Sequence, residues 1–396
     1  KTKPSQANGL LMGKGLVRAE GAVWKKHRKI ISNVFHFEFI KQHLPLIIST
    51  TREFLTDLSK TSMKNIDIMD EVQKITGEIV GRIFFGENLN KYKMNGKLLT
   101  LYLADLIADS SRRGSNFGVV LLGFMGIKPQ ILPSYKKVID SIHEFRALCA
   151  KIIKDRKDSG VKAKDLLGLL LQTQENSNAD DSFSDEEIID EFITFFIAGM
   201  DTTAHLVEIA SYFYLTHPEC QEKLLTEVKV NFGDPPKINI EMLNHMNYMT
   251  AFMKESLRMS TPTPMLFDRT ATEDHTLGEF KIKKGTLLNC AFLALNYDKK
   301  YHNEPMEFIP ERWIEPSKTQ ESVSINPYVY TPFSMGGRNC LGQHLAMIEA
   351  KLIFGLFIKR FNYELVDKNY KLIMTFKGLY EPEQSLIYKI IPINNS

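Results

Sequence analysis

The stretch Phe333-Ser334-Met335-Gly336-Gly337-Arg338-Asn339-Cys340-Leu341-Gly342 contains a cysteine between glycines and is followed by an apolar run from Leu345. The glycines allow a tight turn and let the backbone approach something large and flat. The apolar run predicts a helix directly after the cysteine. N–H groups at a helix start favour a thiolate over a thiol, and Arg338 adds positive charge for an anionic ligand group.

The spacing Phe-x-x-Gly-x-Arg-x-Cys-x-Gly resembles the haem-binding loop of the cytochrome P-450 family, in which a cysteine thiolate holds the iron. The resemblance implies a mainly α fold with small peripheral β-sheets, in a single domain over residues 1–396. It also implies haem b (iron protoporphyrin IX) as cofactor and Cys340 as the metal ligand. Phe333, Arg338 and Gly342 would be cofactor-binding residues. The alternative for a lone cysteine is a small buried hydrophobe.

Composition is ordinary for a globular protein, with 43% hydrophobic and 24% charged residues. The net charge of +3 does not favour a nucleic-acid partner. Cysteines occur at 149, 220, 290 and 340, too far apart for a zinc site or a disulfide framework. This cysteine usage indicates a reducing, cytosol-facing location.

The N-terminal sequence begins at Lys1, without methionine, and no run of 18 apolar residues occurs in the chain. Members of the family usually carry upstream sequence, which in eukaryotes includes a membrane anchor. We therefore expect a fragment whose anchor and first helices and strands lie upstream. The resemblance implies a catalytic domain at the endoplasmic reticulum membrane that faces the cytosol.

Trp24 and Arg28 are four residues apart, so they share one face of a predicted helix. An indole N–H and a guanidinium side by side can bind one carboxylate. The pair is similar to the family's helix that holds a haem propionate, whereas a solvated basic face is the alternative. Lys25, Lys26 and Lys29 point elsewhere and suit a docking surface for an acidic redox partner.

The longest predicted helix starts at Ser184, where Glu187 completes a capping box. It contains Ala198-Gly199-Met200-Asp201-Thr202-Thr203, which resembles the family's oxygen-activating turn, with Asp201 as catalytic acid and Thr202 as catalytic alcohol. The alternative is a packing glycine with an outward-facing Asp and Thr. Some fatty-acid hydroxylases of the family have a haem-linked glutamate where this chain has Ala198. Ala198 therefore implies haem that is non-covalent apart from the iron–sulfur bond.

Glu255 and Arg258 share a helix face, and Arg312 follows in a Pro-Glu-Arg-aromatic pattern. Together they resemble the family's structural triad, which would fix the fold around the cysteine loop. Arg269 falls where the family often has a further propionate-binding arginine. The resemblance also predicts a substrate pocket, formed by Ile197, Thr263, Met265, Leu266 and Leu379.

Secondary structure outside these motifs is predicted from apolar patterns and turn residues. Residues 1–21 contain four glycines and are predicted to be loop-like. Residues 277–282 and 287–295 are predicted to be short strands, as are 363–366 and 386–391. Residues 345–361 are predicted to be the helix that packs behind the cysteine loop.

The resemblance implies a monooxygenase that inserts one atom of O2 into a lipophilic substrate, such as a fatty acid, sterol or xenobiotic. Electrons would come from an NADPH–cytochrome reductase or similar donor, because no flavin or nicotinamide fingerprint occurs in the chain. One alternative is a reductase-independent haem-thiolate isomerase or dehydratase, which Asp201 and Thr202 argue against. Another is a non-catalytic haem-binding protein.

Overall fold

The computed structural model describes residues 6–60, 65–176, 182–233, 238–265, 268–314 and 327–393. The helices are α1 (Gln6–Met12), α2 (Gly21–Ile31), α3 (Phe37–Ser59), α4 (Ile68–Phe85), α5 (Leu99–Gly114), α6 (Phe117–Phe124), α7 (Pro133–Asp158), α8 (Leu166–Asn176), α9 (Asp185–Thr216), α10 (Pro218–Phe232), α11 (Ile240–His245), α12 (Asn247–Met259), α13 (Phe292–Asn296) and α14 (Gln343–Arg360).

The strands are short and form separate antiparallel sheets. They are β1 (Asn65–Asp67), β2 (Lys93–Met94), β3 (Lys97–Leu98), β4 (Arg269–Thr270), β5 (His275–Leu277), β6 (Phe280–Ile282), β7 (Leu287–Leu288), β8 (Phe361–Leu365), β9 (Met374–Phe376), β10 (Tyr380–Pro382) and β11 (Ile387–Pro392). One sheet has the order β1-β11-β8, and β2-β3, β4-β7, β5-β6 and β9-β10 are two-stranded. The prediction of a mainly α fold with small peripheral sheets is confirmed.

Helix α9 runs through the centre of the protein. The predicted capping box is present: Glu187 N–H donates to Ser184 Oγ over 3.2 Å, and Ser184 N–H donates to Glu187 Oε2 over 2.8 Å. By length and composition α9 could cross a membrane, but 78% of its most apolar window is buried inside the protein. Apolar burial on most faces is typical of a core helix.

Helices α4 and α9 pack against each other very closely. A Cβ on Gly199 would lie only 2.6 Å from Val80 Cγ2, so glycine is required for this approach. The rings of Phe85 and Phe192 stack with centroids 3.9 Å apart. Gly86 ends α4 in the left-handed region, at φ 61°, where a residue with a Cβ would be strained.

Three segments differ from their predicted secondary structure. Residues 6–12 form α1 instead of a loop, because Ala7 and Leu11 stand four apart and are buried together. Residues 287–295 form the two-residue strand β7 and then α13, which buries Phe292. Residues 275–282 form a hairpin because Gly278, at φ 59°, turns the chain.

A buried carboxylate joins α12 to the segment that follows α13. Glu255 Oε2 accepts from Arg258 Nε, and Glu255 Oε1 accepts from Arg312 Nε, both over 2.9 Å. Trp313 Nε1 and the Ile309 N–H also donate to Glu255, each over 2.9 Å. All three charged side chains are at most 1% exposed. The buried negative charge of Glu255 is tolerated because both of its carboxylate oxygens accept hydrogen bonds, two of the donors being arginines.

Replacing Glu255 by alanine would leave two arginines buried without their carboxylate. We expect Glu255→Ala to lower the free energy of unfolding by about 3–5 kcal/mol, measured by denaturant titration. The matched control is Asp57→Ala, which removes an ion pair to Lys60 whose side chains are more than 70% exposed. That control should cost less than about 1 kcal/mol. Equal losses in the two variants would contradict a structural role for Glu255.

Candidate functional site

A cavity separates the middle of α9 from the loop that carries Cys340. Its walls are mostly apolar and include residues from α2, α4, α9, α12 and α14. The apolar side chains lining it include Leu16, Val17, Phe35, Val80, Phe84, Phe195, Leu206, Leu257, Phe292 and Leu345. Ala198, Gly199 and Thr202 line the α9 wall, and Phe333, Arg338, Cys340 and Gly342 line the opposite wall.

The Cys340 loop is held by backbone hydrogen bonds. Gly336 has φ 76°, and a short 3₁₀ turn, Gly336–Arg338, brings the chain around. The Cys340 N–H donates to the Phe333 carbonyl over 2.9 Å. The Cys340 side chain is exposed to the cavity, and the protein that surrounds the cavity raises the pKa of its thiol by desolvation. The backbone N–H groups of Gly342 and Gln343 and the charge of Arg28 lower this pKa. These donors are the type that stabilise a thiolate.

Trp24 and Arg28 of α2 both line the cavity. Arg28 donates from Nη1 to the Asn339 carbonyl over 2.7 Å and from Nη2 to Asn339 Oδ1 over 2.6 Å. The Arg338 guanidinium lies over the Trp24 ring, 4.3 Å from its centroid. Arg269 lines the same cavity. We call the four lining residues Trp24, Arg28, Arg269 and Arg338 the rim of the cavity.

His27 is a residue that the sequence analysis missed. It is fully buried, and its Nδ1 lies 2.6 Å from Glu191 Oε1 while its Nε2 lies 3.2 Å from Glu187 Oε1. His27 therefore joins α2 to the start of α9. Lys26 Nζ also lies 3.0 Å from Glu187 Oε1, so this lysine pairs with the start of α9. The only available signal was the shared helix face of Trp24, His27 and Arg28.

Asp201 and Thr202 point in different directions from α9. Thr202 donates to the Ala198 carbonyl over 2.7 Å and lines the cavity. Asp201 is 5% exposed, and its Oδ1 accepts from Gln73 Nε2 of α4 over 2.7 Å. Burial raises the pKa of Asp201 to about 6, and the bond from Gln73 opposes this shift. No sequence pattern pointed to Gln73, which lies 128 positions away.

The predicted pocket residues are only partly brought together. Thr263 and Met265 line the cavity. Ile197 packs against the apolar core instead. Leu379 follows Gly378, whose Cα lies so close to α5 that an added Cβ would be 3.0 Å from Ile107, so this turn packs on α5. Leu266 lies outside the described residues.

The residues around the cavity fit a flat, anionic, metal-containing group. Apolar walls suit a large planar ring, and the cationic rim suits its carboxylates. Within the described ranges, no group of three or more His, Cys, Asp or Glu side chains could hold a metal ion. Cys340 lines the cavity as one sulfur donor, which suits a metal whose other ligands belong to a cofactor.

Comparison with known proteins identifies sequence relatives of this chain. A sequence model of the family described as Cytochrome P450 matches residues 3–390. The chain is 30% identical to a cytokinin hydroxylase of Arabidopsis thaliana over 93% of its own length and 70% of that protein. It is 30% identical to secologanin synthase 1 of Catharanthus roseus over 89% of its own length and 67% of that protein.

The raised pKa of Asp201 makes stability depend on pH. The pKa of Asp201 is 3.8 in the unfolded chain and about 6 in the folded protein. The stability that the protonated Asp201 side chain adds is therefore fully present below pH 3.8 and is lost as the pH rises through about 6. We expect Asp201→Asn to gain stability relative to wild type over that range, on the order of 3 kcal/mol. Unfolding free energies at several pH values measure it. Asp140→Asn, at a side chain 55% exposed, is the control and should follow wild type; a parallel Asp201→Asn curve would contradict the prediction.

Proposed function

This chain belongs to the cytochrome P450 family, a family of haem-thiolate monooxygenases, and from that membership we propose that it inserts one atom of O2 into a lipophilic substrate. The observation that carries the proposal is that Cys340 and Thr202 line the same cavity. An enzyme that only isomerised or dehydrated its substrate would not need an alcohol with a buried acid beside it.

The cofactor proposed for the cavity is haem b. Cys340 would hold the iron, and the rim formed by Trp24, Arg28, Arg269 and Arg338 would hold the carboxylates. Ala198 has no carboxylate, which supports binding without a covalent link other than the iron–sulfur bond. When bound, haem with a thiolate ligand supplies the activation of O2 that oxygen insertion requires. Phe333 and Gly342 would pack near the thiolate.

The protein's own contribution to catalysis would be binding, exclusion of water and control of protons. Thr202 presents its hydroxyl to the cavity, and Asp201 behind it has a pKa of about 6, so it can both hold and release a proton near neutral pH. The bond from Gln73 fixes the Asp201 carboxyl in one orientation. The similarity of this turn to that of the family supports assigning Thr202 as the alcohol and Asp201 as the acid in proton delivery.

The substrate class and the electron donor follow from the surroundings of the site. The apolar lining suits fatty acids, sterols or xenobiotics, with Thr263 and Met265 beside them.

An NADPH–cytochrome reductase is the proposed donor, docking near α2, where Lys25 and Lys29 are exposed. We also propose that residues 1–396 form a single domain built on the apolar core, located at the endoplasmic reticulum membrane like many relatives in the family.

The identity of the iron ligand can be tested by spectroscopy of the reduced carbon monoxide complex. We expect wild type to show the red-shifted band of a thiolate ligand and Cys340→His to lose it, because imidazole is the weaker electron donor. Cys290→Ser alters an exposed cysteine and should retain the band. A thiolate band in Cys340→His would rule out Cys340 as the ligand.

The role of Thr202 can be tested by the product formed per reductant consumed. Thr202→Ala removes the hydroxyl at the cavity, so we expect this ratio to fall about tenfold or more while reductant consumption continues. Thr202→Ser keeps a hydroxyl and should restore most of the ratio. An unchanged ratio in Thr202→Ala would remove Thr202 from the proton path.

A further inference from the structure

Behind Asp201, helix α9 carries a second set of titratable side chains. Asp201, His205 and Glu208 follow one another at spacings of four and three, so they lie along one helix face. Their exposed fractions are 5%, 0% and 2%. The mechanism proposed for the cavity uses only Asp201, which leaves two buried ionisable groups without an assigned purpose.

His205 and Glu208 have unused hydrogen-bonding atoms. Among the described residues, neither His205 Nδ1 nor Glu208 Oε2 has a hydrogen-bond partner, and the two atoms lie 3.9 Å apart. Buried polar atoms without partners are rare and costly in folded proteins. Atoms that face one another across such a gap are positioned to receive a proton or a bridging water.

Negative charge exceeds positive charge around Glu208. On its own helix, Glu208 is near Asp201 and His205. The charged and titratable groups that face it from other parts of the chain are Asp67, Tyr370, Lys377, Glu381 and Tyr388. Lys377 is the cation of this group, with its Nζ 3.6 Å from Glu381 Oε1. Several carboxyls that share a poorly hydrated region with one cation cannot all be ionised, so some of them keep protons at neutral pH.

The direction of the pKa shifts agrees with this charge balance. Burial, followed by the charges of Asp67 and Glu381, raises the pKa of Glu208 well above its ordinary value. Burial and the charge of Asp201 raise the pKa of Glu381 to about 7, against the opposing effect of Lys377. These shifts favour the protonated form of Glu208, whereas Glu381, with a pKa of about 7, can gain and lose a proton near neutral pH.

Solvent can reach this cluster by two routes. The Glu381 side chain is 22% exposed. In addition, a cleft of about 320 Å³ is lined by Ser260 and the exposed Lys371. Ser260 Oγ lies 3.3 Å from His205 Nε2, so the inner wall of the cleft touches the buried set. The cleft is far larger than the roughly 15 Å³ that one water molecule needs.

We propose that Glu381 and Glu208, with His205 beside them, form a proton store that recharges Asp201 during turnover. Asp201 releases its proton toward Thr202 and becomes a carboxylate. A proton then moves from Glu381 through Glu208 and water to Asp201, which leaves Glu381 ionised until solvent reprotonates it. Charge and protons balance without any oxidant. The inference rests on the proposed function only in assigning Asp201 its role.

The store is tested first by infrared titration of carboxyl groups in the haem-loaded protein, without turnover. We expect one carboxyl to titrate near pH 7 in wild type and to be lost in Glu381→Gln. Glu383→Gln, at an exposed position on the same hairpin, should retain it. Asp201→Asn removes a neighbouring negative charge and should lower the Glu381 midpoint. The proposal is overturned if the carboxyl titration near pH 7 is still present in Glu381→Gln, or if its midpoint is unchanged in Asp201→Asn.

The second readout is the pH dependence of product formed per reductant consumed. In wild type, the product formed per reductant consumed should fall as the pH rises through about 7 and Glu381 becomes ionised. In Glu381→Gln this ratio should be about threefold or more below that of wild type at low pH and should vary little with pH. Equal profiles in the two proteins overturn the proposal even when the infrared result holds. A protein that lacked the thiolate band and formed no product would instead contradict the proposed function, while the infrared titration would still test the store.

Discussion

The buried carboxylate of Glu255 is the constraint on which the position of the cysteine loop depends. It joins α12 to Arg312 and Trp313 in the segment that leads toward the loop. The Trp313 ring lies 4.3 Å, centroid to centroid, from that of Tyr330, and the Tyr330 hydroxyl donates to the Lys254 carbonyl of α12 over 2.9 Å. The hydrogen bonds from Trp313 and Tyr330 pair polar groups that would be costly to bury alone, so they hold both residues against α12.

A second set of contacts fixes the two walls of the cavity relative to each other. Helix α2 reaches the cysteine loop through Arg28 and Asn339, and it reaches the start of α9 through His27 and its two carboxylates. One helix of eleven residues thus contacts both the wall that bears Cys340 and the helix that bears Thr202. The width of the cavity is set by polar contacts as well as by apolar packing.

Local spacing explains what could be predicted from the sequence. The cysteine loop, the capping box at Ser184 and the pairing of Glu255 with Arg258 each depend on residues within one or two turns. By contrast, Gln73 meets Asp201 and His27 meets Glu191 from more than 120 positions away, and nothing local marks such partners. The prediction of a strand over residues 287–295 is wrong for most of this segment, because a short apolar run is compatible with a strand or a helix. Burial of Phe292 in the folded protein favours the helix α13.

The contacts of α2 also bear on how long a bound cofactor would stay. Trp24 and Arg28 belong to the rim, and the same helix is held to α9 by a buried histidine between two carboxylates. A carboxylate bound by Trp24 and Arg28 would lose these contacts when α2 separates from Asn339 or from α9. Its residence time would then be governed by the local unfolding free energy of one short helix, a quantity that hydrogen exchange of the α2 amides measures directly.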